Sequence, residues 1–489
     1  MIRRTLACCG VAVALATGAP SHARAADVVT VGKPLAVRPV TPGFVGLALE
    51  YSAVETYVGT DPLAPNPAFV QLIRNLDPGQ QPVLRIGGDS TDWAWVPTRG
   101  IRRPRGIRID LDPTWLAVTH SLATALDAKL ILGVNLEADS RALASAEARA
   151  LVSGIGRAHI QALELGNEPE LYHAFGWYTN AKGLAVPGRG PRWSFSNYLG
   201  DFNKIAAGLP RVPLAGPAIG SPGWLHEIGT FTRAQGRVKT VTVHRYPLLR
   251  CPAADPVHSP TIAQLMAPAA STGLADSVIP IARAAHANGD SIRVDEMNSV
   301  ACGGAPGVSN TFASALWFVD TLFGMARVGI DGVNIQTFNT ASYGLFRFSH
   351  VGDVWSADVN PDYYGMLLFA QAAPAGSHLL DVAGASSSLR AWATHARDGH
   401  TRVVLINDSR HTRQVAVRLP GGHGEGTLER LLAPSIRATS GVTLGGQTFG
   451  AATTTGQLPG PPQTQAVTPH GRSYGISVPP ASAALLTLR

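Results

Sequence analysis

Eight near-continuous apolar runs recur along most of the chain: Phe44 to Leu49, Val83 to Ile86, Leu130 to Leu136, Ala162 to Leu165, Leu214 to Ile219, Val241 to Arg245, Ile292 to Asp295 and Gly332 to Phe338. Short runs without polar alternation are what parallel strands buried on both faces require. Longer stretches with helical spacing separate them. Eight repeats of strand then helix predict an α/β fold, a (β/α)8 barrel.

Beyond about Ala375 the pattern shifts to short alternating segments, such as Leu389 to Thr394, Arg402 to Ile406, Gln414 to Leu419 and Ala483 to Leu488, divided by turn residues. Alternation of that kind predicts an antiparallel β-sandwich. Val28 to Val37 is also strand-like and precedes the first barrel strand, so it is expected to join the same sandwich from the other end of the chain. The stretch Ala451 to Gln465, rich in Thr, Gly, Pro and Gln, reads as a surface loop within it. The expected organisation is a signal peptide over 1–25, N-terminal strand material over 27–42, a catalytic barrel over 43–374 and a β-sandwich over 375–489.

Composition supports a large buried core, since 45% of the 489 residues are apolar. The 52 glycines and 36 prolines lie between the strand-like runs, where they mark tight connections rather than low complexity. Arg3 and Arg4, the apolar stretch Leu6 to Thr17 and the small-x-small sequence Ala23-Arg24-Ala25 have the form of an export signal cleaved near Ala25. That apolar stretch is too short to span a bilayer. Export would leave only Cys251 and Cys302, each just after a predicted strand end. An oxidising compartment permits one disulfide between them, and two unpaired thiols are the alternative.

The formal net charge is +7, and the cations are arginines apart from Lys33, Lys129, Lys182, Lys204 and Lys239. Arg99, Arg102, Arg103, Arg105 and Arg108 crowd the segment after the second strand, where a barrel places binding loops. An acidic substrate fits that charge as well as a solvated loop does. Aromatic interleaving and nucleic-acid motifs are missing, which argues against nucleic acid.

Polar residues gather where the runs end: Glu50, Asp89, Asn135, Asn167 with Glu168, His244 with Tyr246, Glu296 with Asn298, and Gln336 with Asn339. Barrel active sites form at that end. Asn167-Glu168-Pro169 stops its strand abruptly and exposes a carboxylate, and Asp295-Glu296 ends another in the same way. Cleavage of a glycosidic bond needs such a pair, one acid to protonate the leaving oxygen and one carboxylate to attack or activate water. The stretch between them holds about three βα units at roughly 30 to 40 residues each, placing them on strands four and seven. Neither a Gly-x-Ser-x-Gly elbow nor a His-Glu-x-x-His helix is present, which argues against esterase and zinc-peptidase chemistry.

Together, Leu163-Glu-Leu-Gly-Asn-Glu-Pro169, the Asp295-Glu296 strand end, Tyr343-Gly344 and Pro361-Asp-Tyr-Tyr364 resemble glycoside hydrolase family 79, the heparanase and β-glucuronidase family of clan A. The resemblance covers nearly the whole mature chain. It implies a retaining enzyme acting on β-linked glucuronic acid, with Glu168 as acid/base and Glu296 as nucleophile. It further implies that Asn167 holds the sugar 2-hydroxyl, Tyr246 orients the nucleophile, and Glu50 and Asp89 bind the other hydroxyls. Gly303, Gly304 and Tyr343 would receive the glucuronate carboxylate through backbone N–H groups and a phenol. One departure stands at Ala301, where some relatives carry a second tyrosine.

No metal or organic cofactor is called for. The implied partner is a glycan or glycoside containing glucuronic acid. Exo action on terminal glucuronate is the main expectation, with endo action on sulfated glycosaminoglycans or a non-catalytic carbohydrate-binding role as alternatives. The segment Thr91 to Pro113 is the expected determinant of exo against endo action.

Overall fold

The computed structural model describes residues 26–251, 259–421 and 424–489. The leader expected over residues 1–25 lies outside them. After a first strand β1 (Asp27–Pro34), the barrel consists of β2 (Val45–Glu50), β3 (Val83–Gly87), β4 (Lys129–Val134), β5 (Ile160–Leu165), β6 (Leu214–Ile219), β7 (Val238–Arg245), β8 (Ser291–Met297) and β9 (Gly332–Thr337). These eight form a closed barrel of sequential parallel neighbours. It closes where β9 pairs with β2, Val333 beside Val45 through Thr337 beside Leu49. The (β/α)8 expectation is borne out, because each apolar run is buried on both faces, by barrel interior and by helices.

Several helices begin at signals readable in the chain. Asn66 and Asp112 each cap a helix that starts with Pro, the first over Pro67–Arg74 and the second over Pro113–Leu126. Each side chain accepts from N–H groups that the helix cannot satisfy itself, and proline loses nothing at the first position. The Pro361-Asp-Tyr-Tyr364 motif opens the helix Pro361–Ala372, where the Tyr363 hydroxyl donates to the Leu72 carbonyl at 2.6 Å. Its part is structural.

The second domain contains β10 (His378–Ala383), β11 (Leu389–His395), β12 (Thr401–Asn407), β13 (Arg413–Arg418), β14 (Gly426–Leu432), β15 (Thr443–Leu444), β16 (Gln465–Val467), β17 (Ser473–Val478) and β18 (Ser482–Leu488). With β1 they make one ten-stranded sheet in the order β15-β14-β18-β12-β11-β10-β1-β13-β17, with β16 alongside β14. The N-terminal strand therefore sits inside the sheet, antiparallel to β10 but parallel to β13.

Alternation divides the strands between two cores. Val403, Leu405, Ala484 and Leu486 pack with Val29 and Val31 inside the domain. Val404, Ile406, Ala483 and Leu485 point the other way and join the barrel's own core. The buried helix Phe312–Arg327 lies between the two: Phe312 and Ala313 donate their N–H groups to the carbonyls of Ala438 and Ile436, and Trp392 Nε1 donates to Asp320 at 2.8 Å. The β-domain thus caps a barrel helix.

Candidate active site

The C-terminal ends of the barrel strands bring Glu168 and Glu296 together. Glu168 follows β5 in a left-handed conformation (φ 44°, ψ 54°) and starts the short turn Pro169–Leu171. Its N–H donates to the Ala218 carbonyl at 3.0 Å, which fixes the bend. Glu296 lies in β8 and is 9% exposed. A carboxylate oxygen of each, with a ring nitrogen of His244, falls within a group whose atoms all lie within 4.8 Å of one another.

Two different environments surround these acids. Tyr246 donates to Glu296 Oε1 at 2.8 Å, and Arg85 Nη1 donates to Oε2 at 2.6 Å. Burial opposes the Glu296 charge, but His244, Arg85 and the Tyr246 hydroxyl outweigh it and hold the pKa below the ordinary carboxylate value. Glu168 Oε1 instead meets His244 Nδ1 at 2.9 Å. Burial works against the imidazolium, yet the Glu296 charge and the hydrogen bond to Glu168 push His244 up to about 10. A cation therefore sits between the two glutamates.

Asn167 bridges the site. Its Oδ1 accepts from Arg85 Nη2 at 2.8 Å, and its Nδ2 donates to Asp89 Oδ1 at 3.1 Å. Glu50 accepts from the Ser90 N–H at 2.9 Å, from the Ser90 hydroxyl, and from Gln336 Nε2 at 3.0 Å. Gly88 makes this approach possible: at φ +68°, a Cβ there would stand 2.1 Å from Glu50 Oε1. Asp89 opens to the cleft, yet the enclosing protein and the charges of Glu50, Glu168 and Glu296 raise its pKa well above the usual value. Burial, then the Glu296 charge, raises Glu50 as well.

Gly303, Gly304 and Tyr343 meet on the Glu296 side of the cleft. Cys302, Gly303 and Gly304 all have positive φ, at 61°, 83° and 79°. The Ser342 N–H donates to the Gly303 carbonyl at 2.7 Å, tying the turn to the Tyr343 segment. Among the described residues, the Gly303 and Gly304 N–H groups have no acceptor, so they remain available to an anion. The Tyr343 ring lies 6.4 Å from that of Tyr246. Burial and the charges of Glu296, Glu50 and Asp89 keep its phenol protonated. Cys251 and Cys302 form a disulfide with Cα atoms 5.8 Å apart.

Position at a strand end assigns nothing to Arg85 or Glu164 and, for His244, nothing beyond its place. Both Arg85 and Glu164 lie inside apolar runs. A charged group there must be paired, and that is the signal that could have found them. Asp92 was likewise overlooked; it accepts from the Asn167 N–H at 3.0 Å and the Tyr172 hydroxyl at 2.6 Å, holding the Asn167 backbone.

Residues 391–485 match the glycosyl hydrolase family 79 C-terminal beta domain. A β-glucuronidase of Aspergillus niger is 23% identical over 526 aligned positions, covering 93% of this chain and 92% of that protein. A 4-O-α-L-rhamnosyl-β-D-glucuronidase from Fusarium oxysporum, solved in complex with Rha-GlcA, superposes with a TM-score of 0.72 at 20% identity, covering 94% of this chain and all of that one. The family 51 arabinofuranosidase of Xanthomonas axonopodis pv. citri shares the fold at a TM-score of 0.62 and 15% identity, over 95% of this chain and 100% of its own. Fold and relatives define a glycoside hydrolase. More narrowly, its β-domain matches that of family 79, and its likeness to the two glucuronidases runs through the barrel, bearing out the resemblance seen in the motifs.

Proposed function

We propose that this chain is a secreted, retaining β-glucuronidase that removes β-linked glucuronic acid from glycans or glycoconjugates by double displacement. The supporting observation is the spacing of Glu168 and Glu296, whose facing oxygens lie within 4.8 Å. Retaining pairs stand about 5 to 5.5 Å apart, whereas inverting pairs need about 6.5 to 9.5 Å to admit a water. Glu296, ionised, attacks the anomeric carbon while Glu168 passes its proton to the departing oxygen. Glu168 then takes a proton from water, which displaces Glu296 from the anomeric carbon and releases glucuronate. His244 orients Glu168, and Asn167 is placed to hold the 2-hydroxyl.

Glucuronate specificity is supported by the N–H groups of Gly303 and Gly304 beside Tyr343, which have no acceptor among the described residues and suit a carboxylate. Exo action is supported by the segment after Asp89, which packs compactly on the hairpin of residues 176–187 through Trp95, Ile107 and Trp177 and can wall the cleft. Export is supported by the leader-like residues 1–25 and by the disulfide.

Purified protein is assayed on p-nitrophenyl β-glucuronide, β-glucoside and β-xyloside, beside Glu296→Gln and Tyr343→Phe. Rapid glucuronide release lost in Glu296→Gln is expected, with Tyr343→Phe losing affinity for the glucuronide but not the glucoside. Silence on all three with cleavage of sulfated glycosaminoglycan chains would mean endo action instead. Silence everywhere would leave a carbohydrate-binding protein.

A further inference from the structure

Beneath the two glutamates, the barrel floor holds carboxyls that the double displacement does not use. Glu164 projects from β5 and Asp295 from β8, and both side chains are wholly buried. Arg85 reaches them from β3. Its Nε donates to Glu164 Oε2 at 2.9 Å and lies 3.5 Å from Asp295 Oδ2, while its Nη1 holds Glu296 at 2.6 Å. One guanidinium thus faces three carboxyls.

Beside the Arg85 Nε, the Glu164 and Asp295 carboxyls also lie within hydrogen-bonding reach of each other. Ionised carboxylates only accept, so that contact requires a proton on one of them. Two buried carboxyls in contact cannot both ionise without a large cost. Glu164 also accepts from the Thr242 hydroxyl, whereas neither Asp295 oxygen has another hydrogen-bond partner among the described residues. The shorter contact to Arg85 belongs to Glu164, which places the negative charge there and the proton on Asp295. Burial and the Glu164 charge raise Asp295 well above an ordinary aspartate, whereas Arg85 overcomes burial and lowers Glu164.

We propose that Glu164 and Asp295 share one proton, held on Asp295, and that the pair is a positioning unit that sets how much of the Arg85 charge reaches Glu296. This rests on the two-glutamate reading of the site. An anionic Glu164 draws part of Arg85 away from the nucleophile. Without it the full guanidinium charge would fall on Glu296, making it more readily ionised and less nucleophilic. The other charged groups facing the pair are His244, whose Nε2 lies 3.8 Å from Asp295 Oδ1, and Arg293 on β8. The Tyr51 and Tyr198 phenols also lie near Glu164, and burial keeps both protonated.

Infrared spectra of the wild type and of Asp295→Asn test the proton directly. A C=O stretch of a buried carboxylic acid that shifts in D2O and is missing from Asp295→Asn is expected; its absence from the wild type overturns the proposal. Kinetics on p-nitrophenyl β-glucuronide test the positioning. Glu164→Gln should lose at least about ten-fold more kcat than Asp295→Asn, and its acid limb in kcat/KM should move to lower pH. The reverse ranking would place the proton on Glu164. Unchanged limbs with lowered melting temperatures would make the pair merely structural. Activity surviving in Glu296→Gln would instead sink the two-glutamate reading, while the infrared result would still decide the shared proton.

Discussion

Tyr246 is a neighbour of Glu296 whose hydroxyl can be removed while a phenylalanine keeps the ring beside Tyr343, although the hydrogen bond to the Tyr343 phenol goes with it. Its hydroxyl bonds the ionised form of Glu296, so it helps hold that pKa down. Removing it raises the pKa, and the fraction of ionised Glu296 falls on the acid side. Tyr246→Phe should therefore move the acid limb of kcat/KM upward and lower kcat by about 10- to 100-fold, the worth of a bond to a charged group. An unmoved limb would deny Tyr246 that role. A second residue carries an unrelated charge cost. Asp77 is buried with an unpartnered oxygen, and burial, partly offset by Arg293, pushes it up to about 7. A folded-state pKa above the unfolded value favours the fold at low pH, and the advantage is lost as pH rises from about 4 toward about 7. Asp77→Asn should stabilise the protein at pH 8 by up to about 4 kcal/mol and hardly at all at pH 4, as read from melting curves. A gain of equal size at both pH values would rule out titration as its source. Glu168 and Glu296 were legible in the sequence because each stands at the C-terminal end of an apolar strand, where barrel sites form. Arg85 and Glu164 were not, because a partner across the barrel leaves no local pattern.

Elements were most legible where burial is complete. The eight barrel strands read as apolar runs because both their faces are covered, whereas β10, β14 and β17 went unassigned. In β14, Gly-Thr-Leu-Glu-Arg-Leu-Leu breaks strict alternation, because β15, β16 and β18 pair with it over different stretches. The glycine turn presents a different case, since its shape depends on a covalent tie. Leu248–Leu249 and Val300–Ala301 pair in parallel beyond the barrel rim, and the Cys251–Cys302 disulfide closes the ends of both segments. The first segment continues from Tyr246 and the second leads into Gly303 and Gly304. Reducing the disulfide, or replacing both cysteines by serine, should loosen the Gly303–Gly304 turn while leaving the two glutamates in place. The expected outcome is a drop of several-fold or more in the glucuronide-to-glucoside ratio of kcat/KM, with glucoside turnover kept. If the ratio stays unchanged in folded, reduced protein, the tie does not hold the turn.

At the scale of the whole molecule, the two domains depend on each other, since one face of the β-sheet belongs to the barrel's core and the β-domain caps the helix Phe312–Arg327. The first strand closes this arrangement from the far end of the chain. β1 lies between β10 and β13, its Val29 and Val31 are almost wholly buried, and Arg413 grips Asp27 through two bonds of 2.7 and 2.8 Å. Burying two valines contributes about 3 to 6 kcal/mol, a sizeable part of the stability of a typical domain. Removing residues 26–34 would also leave β10 and β13 with unpaired edges, which invite association with other chains. The truncated protein is therefore expected to melt several degrees lower and to aggregate. Its loss of glycosidase activity on heating should follow the melting of the sheet, although the deletion lies outside the catalytic cleft. Activity that persists above the melting of the sheet would mean that the barrel stands alone.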